Sequence, residues 1–334
     1  MDRRAFLSAA AACSIVSAST TQLARAQSRA RFTTAASYSA QRDGASFIVV
    51  RHGIVLHEDY PAGAPSTRWP IGTGTRAFVS LLAASLIEDR LLNLDEPVSQ
   101  TLMDWSLHPQ KSIISIRLLL SGVSGLRFGE RDPRDLATAL ALEPRDEPGA
   151  RFSDDPAPYL IFCEIARRKL EAAGRDPDPA HYLTQRTLLP IGCVPIGWAR
   201  ASGGHARFDD GAAVSARGWA AAGELIRREG VWRAQQLCDD AALREAARGA
   251  INDVRIGFGL LLAGPDRTRG EVGFETDIWN ASWRPFDLAF AAGQGGQRLY
   301  LSTSLGLVVV RQSRSLDATT WSDAQFLSLL ARDL

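Results

Sequence analysis

Residues 69–78 have the sequence WPIGTGTRAF and lead directly into a long apolar segment. In the segment Ala77–Leu92, apolar residues stand at positions 78, 79, 81, 82, 86 and 87, and charged residues come near its end. This spacing predicts a largely buried helix. The stretch therefore places the hydroxyl of Thr73 and the guanidinium of Arg76 on one face at the start of a core helix.

Strand-forming residues are concentrated at both ends of the chain. Residues 46–58 contain two β-rich runs around a His-Gly turn, and residues 297–310 repeat this hairpin pattern. The middle, roughly residues 75–250, is rich in Ala, Leu and Arg and is predicted to be mainly helical, and residues 322–333 predict a final amphipathic helix. Together these features predict an α+β fold in which both terminal hairpins share one antiparallel sheet and the helices pack on it.

Residues 1–26 have the pattern of a twin-arginine export signal. Arg3 and Arg4 precede a short Ala-rich apolar stretch, and Ala24-Arg25-Ala26 supplies the small residues of a cleavage site. We expect cleavage after Ala26 and a soluble periplasmic or secreted protein. The apolar stretch is too short for a stable membrane span, so no transmembrane segment is predicted.

The composition is that of an ordinary globular chain. Its 334 residues, 46% hydrophobic and 22% charged, supply enough apolar side chains for a large core. The formal net charge is +1, or about −1 after signal removal, and gives no indication of a nucleic-acid or anionic membrane partner. Residues 27–42 are small and polar and predict a linker; residues 43–334 predict one domain, with a helical subdomain at about 93–250 inserted between sheet segments.

Three cysteines follow the predicted signal: Cys163, Cys193 and Cys238. An odd number allows at most one disulfide in an oxidising compartment. No C-x-x-C occurs, and the spacings match no zinc pattern. The cysteines therefore favour buried structural thiols, and the sequence indicates neither a metal nor a cofactor.

Six ordered segments share a pattern with one enzyme family: residues 69–78, 87–98 (IEDRLLNLDEPV), 114–126, 151–154 (RFSD), 189–192 (LPIG) and 292–297 (AGQGGQ). Together they resemble the β-lactamase-related and penicillin-binding-protein-like serine hydrolases, which include class C β-lactamases, esterases and 6-aminohexanoate-oligomer hydrolases. The resemblance covers about residues 45–312. It implies the β-lactamase/transpeptidase fold and hydrolysis of ester or amide bonds.

The family's first motif is S-x-x-K, in which a serine attacks a carbonyl and the lysine takes its proton. Thr73 and Arg76 match these positions. Threonine keeps a hydroxyl, but a guanidinium with a pKa above about 12 stays protonated and cannot act as the base. The chain has only two lysines, Lys111 and Lys169, and no S-x-x-K occurs anywhere in it.

The other two motifs also depart from the family. Phe152 and Asp154 match Tyr-x-Asn, so the phenolic oxygen of the proton relay is missing; Tyr159 is the nearest tyrosine if the alignment is shifted. Gln294 matches the third-motif lysine or histidine, within a segment that we expect to be a strand. Glutamine forms hydrogen bonds but cannot exchange a proton. The recognised proton acceptors of all three motifs are therefore absent.

Some functional interpretations remain open. The resemblance implies that the backbone amides of Thr73 and Gln297 form the oxyanion hole. Because these donors belong to the backbone, they remain when side chains change. Asp154 or Asp155 could replace the base, although S-D-D-P at 153–156 is also typical of a helix start. Arg76 could attract a carboxylate-bearing ligand or form a buried ion pair with Asp154.

Outside these motifs, His205 lies in a Gly-rich loop and is either an exposed loop residue or a catalytic one. Trp279, Trp283 and Phe286 are either core or rim aromatics or the lining of a ligand pocket.

Two functions agree with these residues. The favoured one is a catalytically impaired homologue that keeps its cleft to bind a small-molecule or peptide-like carbonyl ligand. The other is an active ester or amide hydrolase that uses Thr73 as nucleophile with an unrecognised base.

Overall fold

The structure is a computed structural model that describes residues 31–128, 135–194, 196–201, 203–249, 256–264, 276–317 and 320–334. The predicted export signal at residues 1–26, with its cleavage site after Ala26, lies outside the described residues. Within the described ranges, no helix is long and apolar enough to cross a membrane.

Most of the described strands belong to one antiparallel sheet, with smaller sheets beside it. The strands are β1 (Gly44–Arg51), β2 (Ile54–Asp59), β3 (Arg68–Pro70), β4 (Ile196–Trp198), β5 (Ala212–Ser215), β6 (Val231–Trp232), β7 (Gln235–Gln236), β8 (Ile256–Gly257), β9 (Leu260–Leu262), β10 (Ala289–Gly293), β11 (Gln297–Ser302) and β12 (Leu307–Ser313). The main sheet has the order β2-β1-β12-β11-β10-β9-β8. Strand β1 pairs with β12, so the two predicted hairpins share one sheet, as expected from the sequence.

The helices lie mainly between the two sheet-forming ends of the chain. They are α1 (Thr33–Ala40), α2 (Ala77–Glu88), α3 (Ile116–Leu120), α4 (Leu136–Ala141), α5 (Ala157–Ala172), α6 (Pro179–Leu183), α7 (Ala216–Arg227), α8 (Asp240–Arg248) and α9 (Asp323–Ala331). Short 3-10 turns occur at Gly72–Arg76, Val98–Gln100, Met103–Trp105, Lys111–Ile113, Ile278–Asn280 and Gln294–Gly296, and a π-turn at Thr184–Leu188. The fold is α+β, as predicted.

Both faces of the main sheet are covered. In β12, Val308 and Val310 belong to the larger core, which contains α2 and α7, whereas Val309 belongs to a smaller core on the opposite face. Strand β1 alternates in the same way, because successive side chains of a strand point to opposite faces. This two-sided burial explains the uninterrupted apolar runs at residues 47–50 of β1 and 307–310 of β12.

The predicted linker at residues 27–42 is wrong over its second half, because Thr33–Ala40 is helix α1. Phe32, Ala35 and Tyr38 are buried in the smaller core, where α1 packs against α9. Small side chains without clear periodicity gave the appearance of a linker. Their burial depends on a helix from the other end of the chain, which local pattern does not reveal.

Helices are the main regular elements of the middle of the chain, but β4 and β5 also lie there and join β3 in a three-stranded sheet of order β3-β5-β4 that sequence patterns did not predict. The sheet joins Arg68–Pro70 to residues 196–215, and so brings the start of α2 beside the helical region. Helix α7 lies directly against β1, β11 and β12. The helical region therefore shares its core with the sheet.

Cys163, Cys193 and Cys238 are buried and unpaired in the described structure, in agreement with the expectation of structural thiols. Burial raises the pKa of Cys238 to about 11 and raises that of Cys193 further. These thiols are therefore neutral at physiological pH and behave as small apolar side chains.

Gly223 lies where α7 packs tightly on the sheet. A Cβ at this position would lie 2.8 Å from Leu299 Cδ1 and 2.9 Å from Leu301 Cδ2. Gly223→Leu should therefore lower the free energy of unfolding by about 1–3 kcal/mol through overpacking, although leucine has a higher helix propensity than glycine. Urea unfolding measures the change, and Ala221→Leu, at a half-buried position of the same helix, is the control. Equal stabilities of the two variants would contradict this packing.

Candidate active site

The candidate site begins at the 3-10 turn Gly72–Arg76, which leads into α2. Thr75 anchors this turn: its Oγ1 donates to the Gly72 carbonyl at 2.6 Å and accepts from the Ala212 amide at 3.0 Å. Gly72 has φ +53°, and a Cβ there would lie 2.2 Å from Gln294 Oε1. Glycine is thus needed both for the backbone conformation and for the approach of Gln294.

Arg76 forms a buried ion pair with Asp154, with side-chain exposures of 10% and 5%. Its guanidinium also lies over the Tyr159 ring, 4.9 Å from the centroid. Burial opposes the charge of Arg76, but Asp154 and other nearby acidic groups outweigh it and raise the pKa above its ordinary value. Arg76 is therefore a permanent cation and cannot accept a proton from Thr73.

The second-motif segment, residues 152–155, is held by contacts within the chain. Phe152 packs against Gly122, where a Cβ would lie 3.0 Å from Phe152 Cε2. Asp155 accepts hydrogen bonds from the amides of Ala157 at 2.9 Å and Phe128 at 3.1 Å, and so caps the start of α5. Asp155 therefore acts at the helix start, as one of the two interpretations expected. Asp154 instead forms the ion pair with Arg76.

The Thr73 hydroxyl is held by backbone and amide oxygens. Its Oγ1 donates to the Ala292 carbonyl at 2.9 Å, and Gln294 Oε1 lies 3.5 Å away. Gln294 Oε1 also accepts the backbone N–H of Thr73 at 3.2 Å. Neither neighbour of the hydroxyl is basic enough to take its proton at neutral pH.

The expected third-motif strand is interrupted by the turn Gln294–Gly296, which separates β10 from β11. Gly295 and Gly296 adopt positive φ values of 69° and 77°, which bulkier residues disfavour. At the end of this turn, the Gln297 amide donates to the Gln294 carbonyl. Both amides expected for the oxyanion hole, those of Thr73 and Gln297, thus have an acceptor on Gln294.

Two buried groups near Arg76 were not assigned to the site from the sequence. Tyr159, considered only as an alignment alternative, is 3% exposed, and burial raises its pKa, so that its phenol stays protonated. Asp209, also buried, contributes to the raised pKa of Arg76. The only feature of the sequence that could have indicated Asp209 is an acidic pair, Asp209-Asp210, after the apolar Phe208.

The remaining candidate residues are His205 and three aromatic residues, Trp279, Trp283 and Phe286. His205 is exposed and lines a cavity of about 380 Å³ together with Cys163 and Arg207. Trp279 and Trp283 are partly buried against the smaller core, in agreement with their interpretation as core or rim aromatics. Phe286 is 73% exposed.

Several solved structures have the same fold. A candidate β-lactamase from Bacteroides dorei DSM 17855 aligns with 90% of this chain and 98% of its own, at 17% identity and a TM-score of 0.70. A penicillin-binding protein homologue from Caulobacter crescentus aligns with 91% of this chain and 98% of its own, at 15% identity and a TM-score of 0.68. A family VIII carboxylesterase aligns with 90% of this chain and 96% of its own, at 14% identity and a TM-score of 0.66. At these identities, the similarity establishes the fold alone.

The sequence itself matches a family model. The model for the family described as Beta-lactamase covers residues 24–295, which is most of the chain. No curated protein matches the chain in sequence. The family match, the shared fold and the ordered motifs agree, and the chain belongs to the β-lactamase family.

Proposed function

We propose that this protein is a catalytically impaired member of the β-lactamase family that keeps its cleft to bind a carbonyl-bearing small molecule or peptide-like ligand. The buried ion pair between Arg76 and Asp154 carries this proposal, because it stands where the family has its general base. We further propose that the protein acts in the periplasm or outside the cell, on the basis of the predicted signal at residues 1–26.

Attack by Thr73 would require an acceptor for its hydroxyl proton. Among the described residues, the hydroxyl contacts the Ala292 carbonyl and the Gln294 amide, and neither takes a proton at neutral pH. A positioned general base contributes about 10²–10⁴-fold to a rate. Without one, Thr73 retains a hydroxyl that can donate or accept hydrogen bonds but is a weak nucleophile.

The binding part of the proposal rests on the amides around Gln294. A ligand carbonyl that displaces the Gln294 carboxamide would meet the Thr73 N–H, which now donates to Oε1 over 3.2 Å. Displacement of one amide oxygen by another carbonyl oxygen exchanges similar hydrogen bonds. The charge of Arg76 is not available to a ligand, because Asp154 already neutralises it.

The second candidate is an ester or amide hydrolase in which Thr73 is the nucleophile. Its support is the retained hydroxyl, which lies in the turn before α2 beside Gln294. It requires a base that none of the three motifs provides.

Active-site probes separate the two candidates. Purified protein should show no mass change after incubation with a fluorophosphonate or a chromogenic β-lactam, because no base activates Thr73. Its turnover of p-nitrophenyl butyrate should equal that of Thr73→Ala, which is the matched control. A stable adduct on Thr73, together with turnover lost in Thr73→Ala, would establish the hydrolase instead.

The ion pair should also determine stability. Asp154→Ala leaves the Arg76 charge buried without its carboxylate and should lower the free energy of unfolding by about 3–5 kcal/mol, measured by urea denaturation. The control is Glu58→Ala, which breaks a pair with Arg217 whose side chains are 57% (Arg217) and 34% (Glu58) exposed. That exposed pair should contribute at most about 1 kcal/mol. Similar losses in both variants would show that the Asp154 pair is not the buried contact described above.

Restoration of the motifs tests why the site is impaired. A lysine at position 76 would stay protonated beside Asp154, so Thr73→Ser/Arg76→Lys/Phe152→Tyr should remain inactive toward p-nitrophenyl butyrate. Addition of Asp154→Asn removes the carboxylate, and the rate should rise by about 10²-fold or more as the lysine becomes a base. Equal rates in the triple and quadruple variants would place the defect elsewhere in the cleft.

A further inference from the structure

A cavity of about 380 Å³ lies between α4, α5 and the loop that follows β4. Its volume is within the range of small-molecule sites, about 300–1,000 Å³. None of the motif residues of the candidate active site is among the described residues that line it. Ala137, Gly203 and His205, which do line it, are exposed, so a ligand can enter from the surface.

The helical wall of this cavity is apolar. Leu136 and Leu140 of α4 line it together with Leu160 and Cys163 of α5, of which Leu160 is 8% and Cys163 9% exposed. Spacings of four and three residues place each pair on one face of its helix. Burial raises the pKa of Cys163 well above its ordinary value, so this thiol is neutral and adds to the apolar surface. The wall therefore suits an aromatic or aliphatic group.

The loop that forms the other wall is held by contacts within the chain. The Ala199 amide donates to the Gly211 carbonyl at 2.8 Å, and the Arg207 amide donates to the Ala199 carbonyl at 2.9 Å. Arg200 forms an ion pair with Asp178, which precedes α6. The cavity is therefore preformed, and a ligand does not have to order this loop when it binds.

Two acidic side chains line the cavity, and both have partners in the protein. Glu164 accepts hydrogen bonds from Nε of Arg167, at 2.8 Å, and from Nε of Arg168, at 2.6 Å. Asp135 accepts the backbone N–H of Thr138 at 2.9 Å and so caps the start of α4. Neither carboxylate therefore requires a cationic group on a ligand.

Arg207 has spare hydrogen-bonding capacity at the cavity. Its Nη2 donates to Asp210 Oδ2 at 2.6 Å, and its side chain is 34% exposed. A guanidinium has five N–H donors, and among the described residues Nε and Nη1 of Arg207 have no acceptor. The His205 ring, against which a Cβ on Gly203 would lie 3.1 Å from Cδ2, is next to it on the same loop. The loop therefore offers N–H donors beside an apolar wall.

We propose that this cavity is a second binding site, for a small organic acid whose aromatic or aliphatic body packs against α4 and α5 and whose carboxylate accepts hydrogen bonds from Arg207. A carboxylate is the acceptor that gains most from a guanidinium, because hydrogen bonds between charged groups are about twice as strong as neutral ones. The cavity is separate from the cleft at Thr73, so this inference goes beyond the proposed function and does not depend on it.

Three probes with the same phenylpropyl body test this site: 3-phenylpropionate, 3-phenylpropanamide and 3-phenylpropylamine. Titrations of the full chain are followed in ¹H–¹⁵N spectra, in which the amides of Cys163 and His205 should shift while those of Thr73 and Gln297 do not. The acid should bind about 5-fold more tightly than the amide, as expected for hydrogen bonds to a charged group. The amine should bind most weakly, because its charge repels Arg207.

Variants then separate the charge from the shape of the cavity. Arg207→Gln should bring the affinities for the acid and the amide within about 2-fold of each other. Arg227→Gln, which breaks a pair with Glu224 at the same spacing of three residues in α7, is the matched control and should leave the preference unchanged. Ala137→Trp places a large side chain at the cavity from an exposed position of α4 and should abolish detectable binding of both probes.

The outcomes distinguish this inference from the proposed function. Shifts confined to Thr73 and Gln297 would overturn the second site and would support ligand binding in the cleft. Absence of shifts with every probe, equal affinities of wild type for acid and amide, tighter binding of the amine, or unchanged binding by Ala137→Trp would each overturn the inference and leave the proposed function standing. Wild type and Ala137→Trp decide the matter even if Arg207→Gln does not fold.

Discussion

A guanidinium enclosed at the start of a core helix needs a carboxylate, and this requirement organises the cleft. Arg76 begins α2 and Asp154 precedes α5, so their ion pair ties two helices together. Asp155 then caps α5, and the ring of Tyr159 covers the guanidinium. Asp154 and Asp155 thus both have partners within the protein.

The turn at residues 293–297, between strands β10 and β11, also has its polar groups paired within the protein. Gln294 supplies the acceptors for the amides of Thr73 and Gln297, while Arg298 and Arg311 bind the other carbonyls of the turn. Buried polar groups are stable only when they are hydrogen-bonded, and here the partners come from the chain itself. The ligand that we propose would therefore have to replace the Gln294 carboxamide and offer an oxygen that accepts hydrogen bonds at least as well.

Much of the fold was predictable because its determinants are local. The β-rich run that begins β12 and the helical spacing after Ala77 led to the antiparallel sheet and the buried helix. Helix α1 was missed because its burial depends on α9, almost 300 residues later. For the site, ordered motifs indicated that Thr73, Arg76 and Asp154 belong together. The direction of the Gln294 side chain depends on tertiary contacts, which no local pattern records.

The two charged residues of the site are coupled by the physics of burial. Relative to the family motifs, Arg76 stands for a lysine and Asp154 for an asparagine. A buried lysine can lose its proton and become neutral, whereas an arginine cannot, so a neutral asparagine would leave the guanidinium uncompensated. An aspartate beside a lysine would in turn keep that lysine protonated and remove its use as a base. Either departure alone ends proton transfer, but the arginine without the aspartate would leave an uncompensated buried charge. The pair therefore explains both the loss of the general base and the persistence of the fold around it.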